Sequence, residues 1–579
     1  MSTSNKRLHI YKASAGAGKT HTMTEAFLSH VLQFPESSYL EVQAVTFTNL
    51  ATRELKERFF KELDTLAVAP QESPFYDSFN TQYSDEQLST RARTALQSIL
   101  FDYDGLRVKT IDSFFQDIIH ALAIELKQRP TTRIELSTDQ ILGLAVERLF
   151  DEPSPEAQEA IKRFLTDQAD KSIYALKNGL TLFAKQLYNE QIQELAFENK
   201  QLLNPETYPL FLKAVKAQID IVKEEIRKQV DAFRKQVIPG TKFPGGQQSP
   251  LARLTDTTKD QPTIGATKSY ITATTWDKYL RHFNVEEALD ERYTKGFEGS
   301  PLLDAFYKIL PLHTKLFTLQ TAIRKGYDLQ LLGEIQSNVS KVSEELNITL
   351  LDNAKQLIRT LVGREHSTAF IYERIGTKLK HHMIDEFQDT SRFQYENFKP
   401  LLNEALAADG SSFIVGDVKQ SIYRFRNSDP MLLQKSLSDD FSEYEETHNL
   451  EFNWRSAPAI VSFNNRFFSL LPNASELKLD KSSESYKLIK DIYAASEVHQ
   501  EVPDKHIDKV GGVFIHQWQE ASPQDQLQAK IDYLLEHVIP SLRKRGYKLS
   551  DIAILTPKND TLQRIAQSII QYNQNVPSG

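Results

Sequence analysis

Ala13-Ser14-Ala15-Gly16-Ala17-Gly18-Lys19-Thr20 is the stretch whose reading decides the fold class. Upstream of it, Leu8 to Lys12 alternates and is rich in strand formers; downstream, Met23, Phe27, Val31 and Phe34 recur at helical spacing. A small-residue turn between strand and helix offers backbone N–H groups to a phosphate with no side chain in the way, and Gly16 and Gly18 alternate with Ala accordingly. Lys19 is then placed to reach terminal phosphates and Thr20 to face a magnesium ion. Ala13 stands where the usual pattern has Gly, at a position that needs only a small residue. An incidental Gly/Ala turn is the competing reading.

Far along the chain a short apolar approach, Met383-Ile384, delivers Asp385-Glu386-Phe387-Gln388-Asp389-Thr390. Two adjacent carboxylates at a strand end divide the labour of hydrolysis: Asp385 is expected to hold the magnesium shell and Glu386 to orient or deprotonate the attacking water. A solvated acidic turn is the alternative. Read together, the glycine turn and the acidic doublet are two halves of a nucleotide triphosphatase site.

At these residues the chain resembles the UvrD/Rep-type superfamily 1 DNA helicases. Further motifs follow in the family's order: Ala44-Val45-Thr46-Phe47-Thr48-Asn49, Thr110-Ile111-Asp112-Ser113-Phe114, Gly416-Asp417-Val418-Lys419-Gln420-Ser421-Ile422-Tyr423-Arg424-Phe425-Arg426 and Asn453-Trp454-Arg455-Ser456. The Val-Lys-Gln-Ser and Asn-Trp-Arg-Ser forms and the long first insertion resemble the RecB/AddA branch. The resemblance implies ATP and Mg2+ as cofactors. It implies DNA contacts at Phe47, Asn49, Ser113, Tyr423 and Phe425, with the aromatics stacking on successive bases of a single strand. Phe425 departs from the Trp frequent in the family, and each of these aromatics is also compatible with a core role. Gln420 is implied to touch the γ-phosphate or the attacking water, Arg455 to act as an arginine finger when two lobes close, and Trp454 to stack on adenine, against the alternative of an ordinary buried strand-end Trp.

The expected architecture is α/β: a RecA-like P-loop lobe with a parallel sheet, a large helical insertion, and part of a second RecA-like lobe. Residues 1–125 and 371–445 are assigned to the first lobe, 126–370 to the mostly helical insertion and 446–579 to the partial second lobe. Within the first lobe, Val42 to Phe47 and Leu106 to Ile111 read as strands and Ala51 to Ala67 as an amphipathic helix. Ser84 with Gln87 forms a capping-box start for another. In the insertion, Ile161 to Leu203 and Leu210 to Val237 read as helices, and Pro239 to Pro262, rich in Gly, Pro, Thr and Gln, as a mobile loop. Lys223-Glu224-Glu225-Ile226-Arg227-Lys228 offers a DNA-lining stretch as one reading and a solvated helix face of mixed charge as the favoured one. Met383 to Ile384 and Phe413 to Val415 return to strand. Later, Lys478 to Gly511 reads as a polar connector, Gly512 to Gln517 as a strand, Gln524 to Val538 as a helix and Ile552 to Leu555 as another strand. His381 and His382 lack partners at metal-ligand spacing and are expected to open the strand before Asp385.

Composition constrains the function classes. A chain of 579 residues with 40% hydrophobic content can bury several cores. No apolar run of membrane length or signal-peptide pattern is present, so the expected location is cytoplasmic, with no membrane partner. The absence of cysteine excludes disulfides, a thiol nucleophile and Cys-ligated zinc or iron–sulfur sites. A net charge of −8 supplies no global electrostatic argument for DNA, so that case rests on individual side chains.

The family's fifth and sixth motifs, its second-lobe accessory domain and a carboxyl-terminal nuclease module have no match before Gly579, and the adenine-reading Gln segment has no room before Leu8. The expectation is therefore a truncated chain of an ATP-dependent DNA helicase that moves 3′-to-5′ in double-strand-break processing. It would act on single-stranded or duplex-end DNA and would be partnered by a second nuclease-helicase subunit. The competing class is a binding module for ATP and single-stranded DNA with little turnover. A P-loop kinase is disfavoured because nothing in the sequence argues for an acceptor site.

Overall fold

In a computed structural model of the chain, the described residues are 6–122, 133–135, 138–155, 157–167, 172–199, 202–242, 300–350, 378–474, 481, 483–518 and 522–575. Among the described residues eight strands lie in two sheets: β1 (Leu8–Ala13), β2 (Val42–Thr46), β3 (Arg107–Thr110), β4 (Arg133–Glu135), β5 (Ile348–Leu350), β6 (His381–Ile384), β7 (Ser411–Gly416) and β8 (Glu445–Leu450). Six of them form one parallel sheet in the order β3-β2-β6-β7-β1-β8, and β4 pairs with β5 in the other.

The large sheet is covered on both faces, and its strands show the two-residue alternation that this requires. Ile384, Ile414, Val45, Leu8 and Ile10 face one core with the helices Ile111–Ala121 and Arg392–Ala407. Met383, Val415, Ala44, Val42 and Val108 face the other, with Lys19–Val31, Asn49–Val68 and Asp85–Phe101. The capping box of Ser84 and Gln87 starts the last of these helices. The first ends at Val31, so Phe34, expected on its apolar stripe, lies beyond the helix and is exposed.

This topology positions the site. Parallel strands send all their carboxyl ends to one edge, and in open α/β sheets ligands bind there. The glycine turn follows β1, Phe47 and Asn49 follow β2, Ser113 follows β3, Asp385 and Glu386 follow β6, and Asp417 and Gln420 follow β7.

Between β3 and β6 the described residues are mainly helical, with cores of their own around Thr138–Asp151, Tyr208–Gln236 and Pro301–Leu346. The segment expected as helical from Ile161 to Leu203 is broken into Ala157–Asp167, Ile173–Ala184 and Glu190–Glu198. Most of the loop read at Pro239 to Pro262 lies outside the described residues.

The chain divides into two compact units after Glu451. β8 pairs with β1 in register Leu8↔Glu445 to Ala13↔Leu450, so residues 446–451, expected in the second lobe, belong to the first unit. In the second unit, Gly512 to Gln517 and Ile552 to Leu555 are not strands: among the described residues neither has a ladder partner. Alternating apolar side chains are compatible with a strand, but hydrogen bonding to a neighbour makes one. Phe514 and Leu555 are 86% and 93% exposed. The stretch read as a polar connector contains the helices Glu484–Ile492 and Ala495–Val498. The helix expected from Gln524 to Val538 spans Pro523–Tyr533 and continues through a wider turn to Lys544. Among the described residues no helix is long and apolar enough to cross a membrane.

Candidate nucleotide site and nucleic-acid interface

Gly16 and Gly18 have φ of 79° and 96°, the left-handed region in which a side chain is strained, so the turn needs glycine at both positions. Gly18 caps the helix Lys19–Val31, placing Lys19 and Thr20 in its first turn, where free N–H groups and the helix dipole favour an anion. Ala13 and Ala17 are buried against the core, while Ser14 and Ala15 are more open.

Lys19 Nζ lies 2.6 Å from Glu386 Oε2, joining residues 367 positions apart. Asp385 is buried; its Oδ1 accepts a hydrogen bond from the Glu386 N–H, and desolvation with the neighbouring Glu386 charge pushes its pKa up to about 6. Burial and Glu386 likewise raise Asp389 to about 6, and its Oδ1 has no hydrogen-bond partner among the described residues. A cation would relieve both carboxyls. Carboxylate oxygens are the donor type that suits Mg2+. Glu386 itself has φ 51°, an unusual conformation for a residue with a Cβ and one that concentrates at functional sites.

From Glu386 a hydrogen-bonded chain leads away. The buried Gln388 donates from Nε2 to Glu386 Oε2 at 2.6 Å and accepts at Oε1 from the Asp417 N–H at 2.9 Å. Asp417 in turn accepts from Gln420 Nε2 at 2.8 Å and pairs with Lys419 Nζ at 2.9 Å, and Ser421 Oγ donates to the Gln388 carbonyl at 3.3 Å. Gly416 makes room for this: a Cβ there would stand 2.7 Å from Gln388 Oε1 and 2.8 Å from Leu433.

Two residues past Ser421 the aromatic row begins. The Tyr423 ring lies 4.8 Å from Phe47 and 5.8 Å from Phe425, and the Arg426 guanidinium sits over both Tyr423 and Phe425. Phe425 is 79% exposed and Phe47 and Tyr423 are half-buried, so these rings are not core. Asn49 is exposed beside Phe47, at the start of the helix capped by Thr48. Ser113 stands apart from that row in sequence, at its own helix start, where it bonds Thr110.

In the second unit, Asn453 Oδ1 accepts from the N–H groups of Arg455 and Ser456 and its Nδ2 donates to Gln500, which fixes the turn bearing Trp454 and Arg455. Trp454 is 42% exposed with Lys505 Nζ 4.6 Å from its ring centroid, so it is not a buried strand-end Trp. Arg455 is exposed.

Residue patterns alone assign Gln388 and Asp389 no role of their own. Their signal lies only in the Asp-Glu-Phe-Gln-Asp-Thr string, and the distant partner of Gln388 is a backbone N–H that no residue pattern encodes. His381 and His382 do open β6, and both are held neutral: burial lowers their pKa to about 4 and about 3.

The family described as the UvrD/REP helicase N-terminal domain matches residues 2–441. Among curated proteins, an ATP-dependent helicase/nuclease subunit of Staphylococcus saprophyticus is 24% identical, over 97% of this chain and 46% of its own length. The same-named protein of Ligilactobacillus salivarius is 26% identical over 86% of this chain and 40% of its own length. The RecBCD enzyme subunit RecB of Escherichia coli is 24% identical over 80% and 38%. The chain spans about half the length of the curated relatives it matches.

Proposed function

The chain belongs to the UvrD/REP helicase family, and from that premise we propose that it works as an ATP-dependent DNA helicase that couples hydrolysis to movement along single-stranded DNA. The observation that carries this reading is the unbroken chain from Lys19 through Glu386, Gln388 and Asp417 to the arm bearing Tyr423 and Phe425. A nucleotide-binding lysine and an exposed aromatic row are thereby tied to one set of hydrogen bonds.

Each residue has a part. The loop N–H groups and Lys19 bind phosphate, while Thr20 and Asp385 hold the cation. Bound Mg2+-ATP supplies the electrophilic γ-phosphate and the charge that neutralises its oxygens. Glu386, once Lys19 no longer occupies its carboxylate, takes a proton from the attacking water, and Gln388 carries the change in Glu386 to Asp417 and Gln420. Phe47, Tyr423 and Phe425 stack on bases at about 1–3 kcal/mol each without reading sequence, a grip that tolerates sliding. Asn49 and Ser113 are proposed to contact the same strand. Trp454 and Arg455 are proposed for adenine stacking and for charge stabilisation, and both assignments rest on the motif resemblance.

The same resemblance supports 3′-to-5′ movement, action at double-strand breaks and partnership with a second nuclease-helicase subunit. Steady-state ATPase with and without a single-stranded oligonucleotide tests the reading. It expects turnover that depends on Lys19 and rises strongly with DNA. ATP and DNA binding without stimulated turnover would instead identify a binding module.

A further inference from the structure

Away from the nucleotide edge, β1 and β8 bring three side chains together that no motif links. His9 stands opposite Glu446 in the parallel register, and His448 follows two residues on, on the same face of the edge strand. His9 Nδ1 lies 3.3 Å from His448 Nε2 and 3.5 Å from Glu446 Oε2, and the last two atoms are 3.9 Å apart.

We propose that His9, Glu446 and His448 form a binding site for a first-row divalent transition metal, Zn2+ being the best fit. A tetrahedral centre with bonds of about 2.0–2.1 Å places its ligand atoms about 3.3–3.4 Å apart, close to the separations of the observed triangle. Two imidazole nitrogens and one carboxylate oxygen make a set that favours zinc over the all-oxygen preference of magnesium. The fourth position is left to water.

The surroundings hold the ligands in place. Tyr11 stacks on the His448 ring at 4.6 Å and on Phe413 at 4.5 Å, and Phe413 packs against His9 at 5.8 Å. All three ligand side chains are partly exposed, so an ion reaches them from solvent. The site is separate from the phosphate turn: His9 lies four residues before Ala13, about 13 Å along the strand at 3.3 Å per residue. Its consequence is mechanical. Among the described residues β8 is hydrogen-bonded to a strand on one side only, and a metal shared with β1 would pin it to the strand that feeds the phosphate turn.

The test is titration of chelator-treated protein with Co2+, in excess Mg2+ to occupy the oxygen-donor site. Visible ligand-field absorption is followed, then displacement by Zn2+ and the Zn2+-dependent rise in melting temperature. The expected result is one ion per chain, weakened about tenfold or more in His9→Gln and in His448→Gln. Glu445→Gln, on the opposite face of the same strand, should bind as wild type. Metal-free melting checks the folding of each variant, and Glu446→Gln, whose side chain is half exposed, carries the test without touching packed rings. Absence of a ligand-field band in the wild type, or undiminished binding in these ligand variants, overturns the proposal.

Discussion

Replacing Gln388 by Leu removes the link between the acidic doublet and the arm after β7 while keeping the buried volume nearly constant. Two bonds are lost: a charge-assisted one to Glu386 at 2.6 Å and the one that satisfies the Asp417 N–H at 2.9 Å. The first is worth about 1.5–3 kcal/mol and the second leaves a buried donor without an acceptor, at about 1–3 kcal/mol. Because both run through one side chain they do not add fully, and a stability loss of about 2–5 kcal/mol by urea unfolding is expected. The informative readout is catalytic. With Lys19, Thr20 and Asp385 untouched, the affinity for ATP should stay near the wild-type value. Stimulation of ATPase by single-stranded DNA should fall about tenfold or more, equivalent to about 1.4 kcal/mol of lost coupling. Gln388→Glu keeps the acceptor for Asp417 and should recover part of the stability, although it sets a second carboxylate beside Glu386. Wild-type DNA stimulation in a folded Gln388→Leu protein would refute the reasoning.

Other perturbations address other parts of the site. Lys19→Ala should abolish productive ATP binding, whereas Glu386→Gln should bind ATP and fail to turn it over; equilibrium nucleotide binding beside single-turnover hydrolysis separates the two. Phe425→Ala should weaken single-stranded DNA by about 1–3 kcal/mol equally for different base compositions, measured by fluorescence anisotropy. His382 is fully buried, neither ring nitrogen has a hydrogen-bond partner among the described residues, and its pKa is pushed down to about 3. A lowered folded pKa means that the unfolded chain takes the proton first as pH falls below about 6.5. This histidine's contribution is therefore present above that value and lost by about 2 kcal/mol at pH 5. His382→Leu should remove that loss, so its stability relative to wild type should climb between pH 7 and pH 5. Parallel profiles would exclude the assignment.

Much of this was legible in the sequence because it is locally encoded. Gly16 and Gly18 announce a turn whose backbone can approach a phosphate, Ser84 and Gln87 announce a helix start, and the apolar runs before Asp385 and Asp417 announce buried parallel strands. Phe34 and the segments at Gly512 to Gln517 and Ile552 to Leu555 misled for the opposite reason. Their side chains fit a regular element, but the element depends on a helix end or a neighbouring strand. The placement of β8 was missed likewise, since Glu445 to Leu450 is polar and becomes a strand by pairing with β1. Gln388 and the cluster of His9, Glu446 and His448 were illegible because distant segments create them: register across a sheet, or a bond to a backbone N–H, leaves no periodic trace.

The central claim is that nucleotide and DNA act on one connected set of residues, and it is tested most directly by the affinity for a single-stranded oligonucleotide with and without saturating Mg2+ and a non-hydrolysable ATP analogue. Coupling of about 1–3 kcal/mol predicts a change of about 5-fold to 150-fold, absent in Lys19→Ala, with DNA changing the affinity for the analogue by the same factor. Equal DNA affinities in the two conditions, in a protein that binds both ligands, would contradict it.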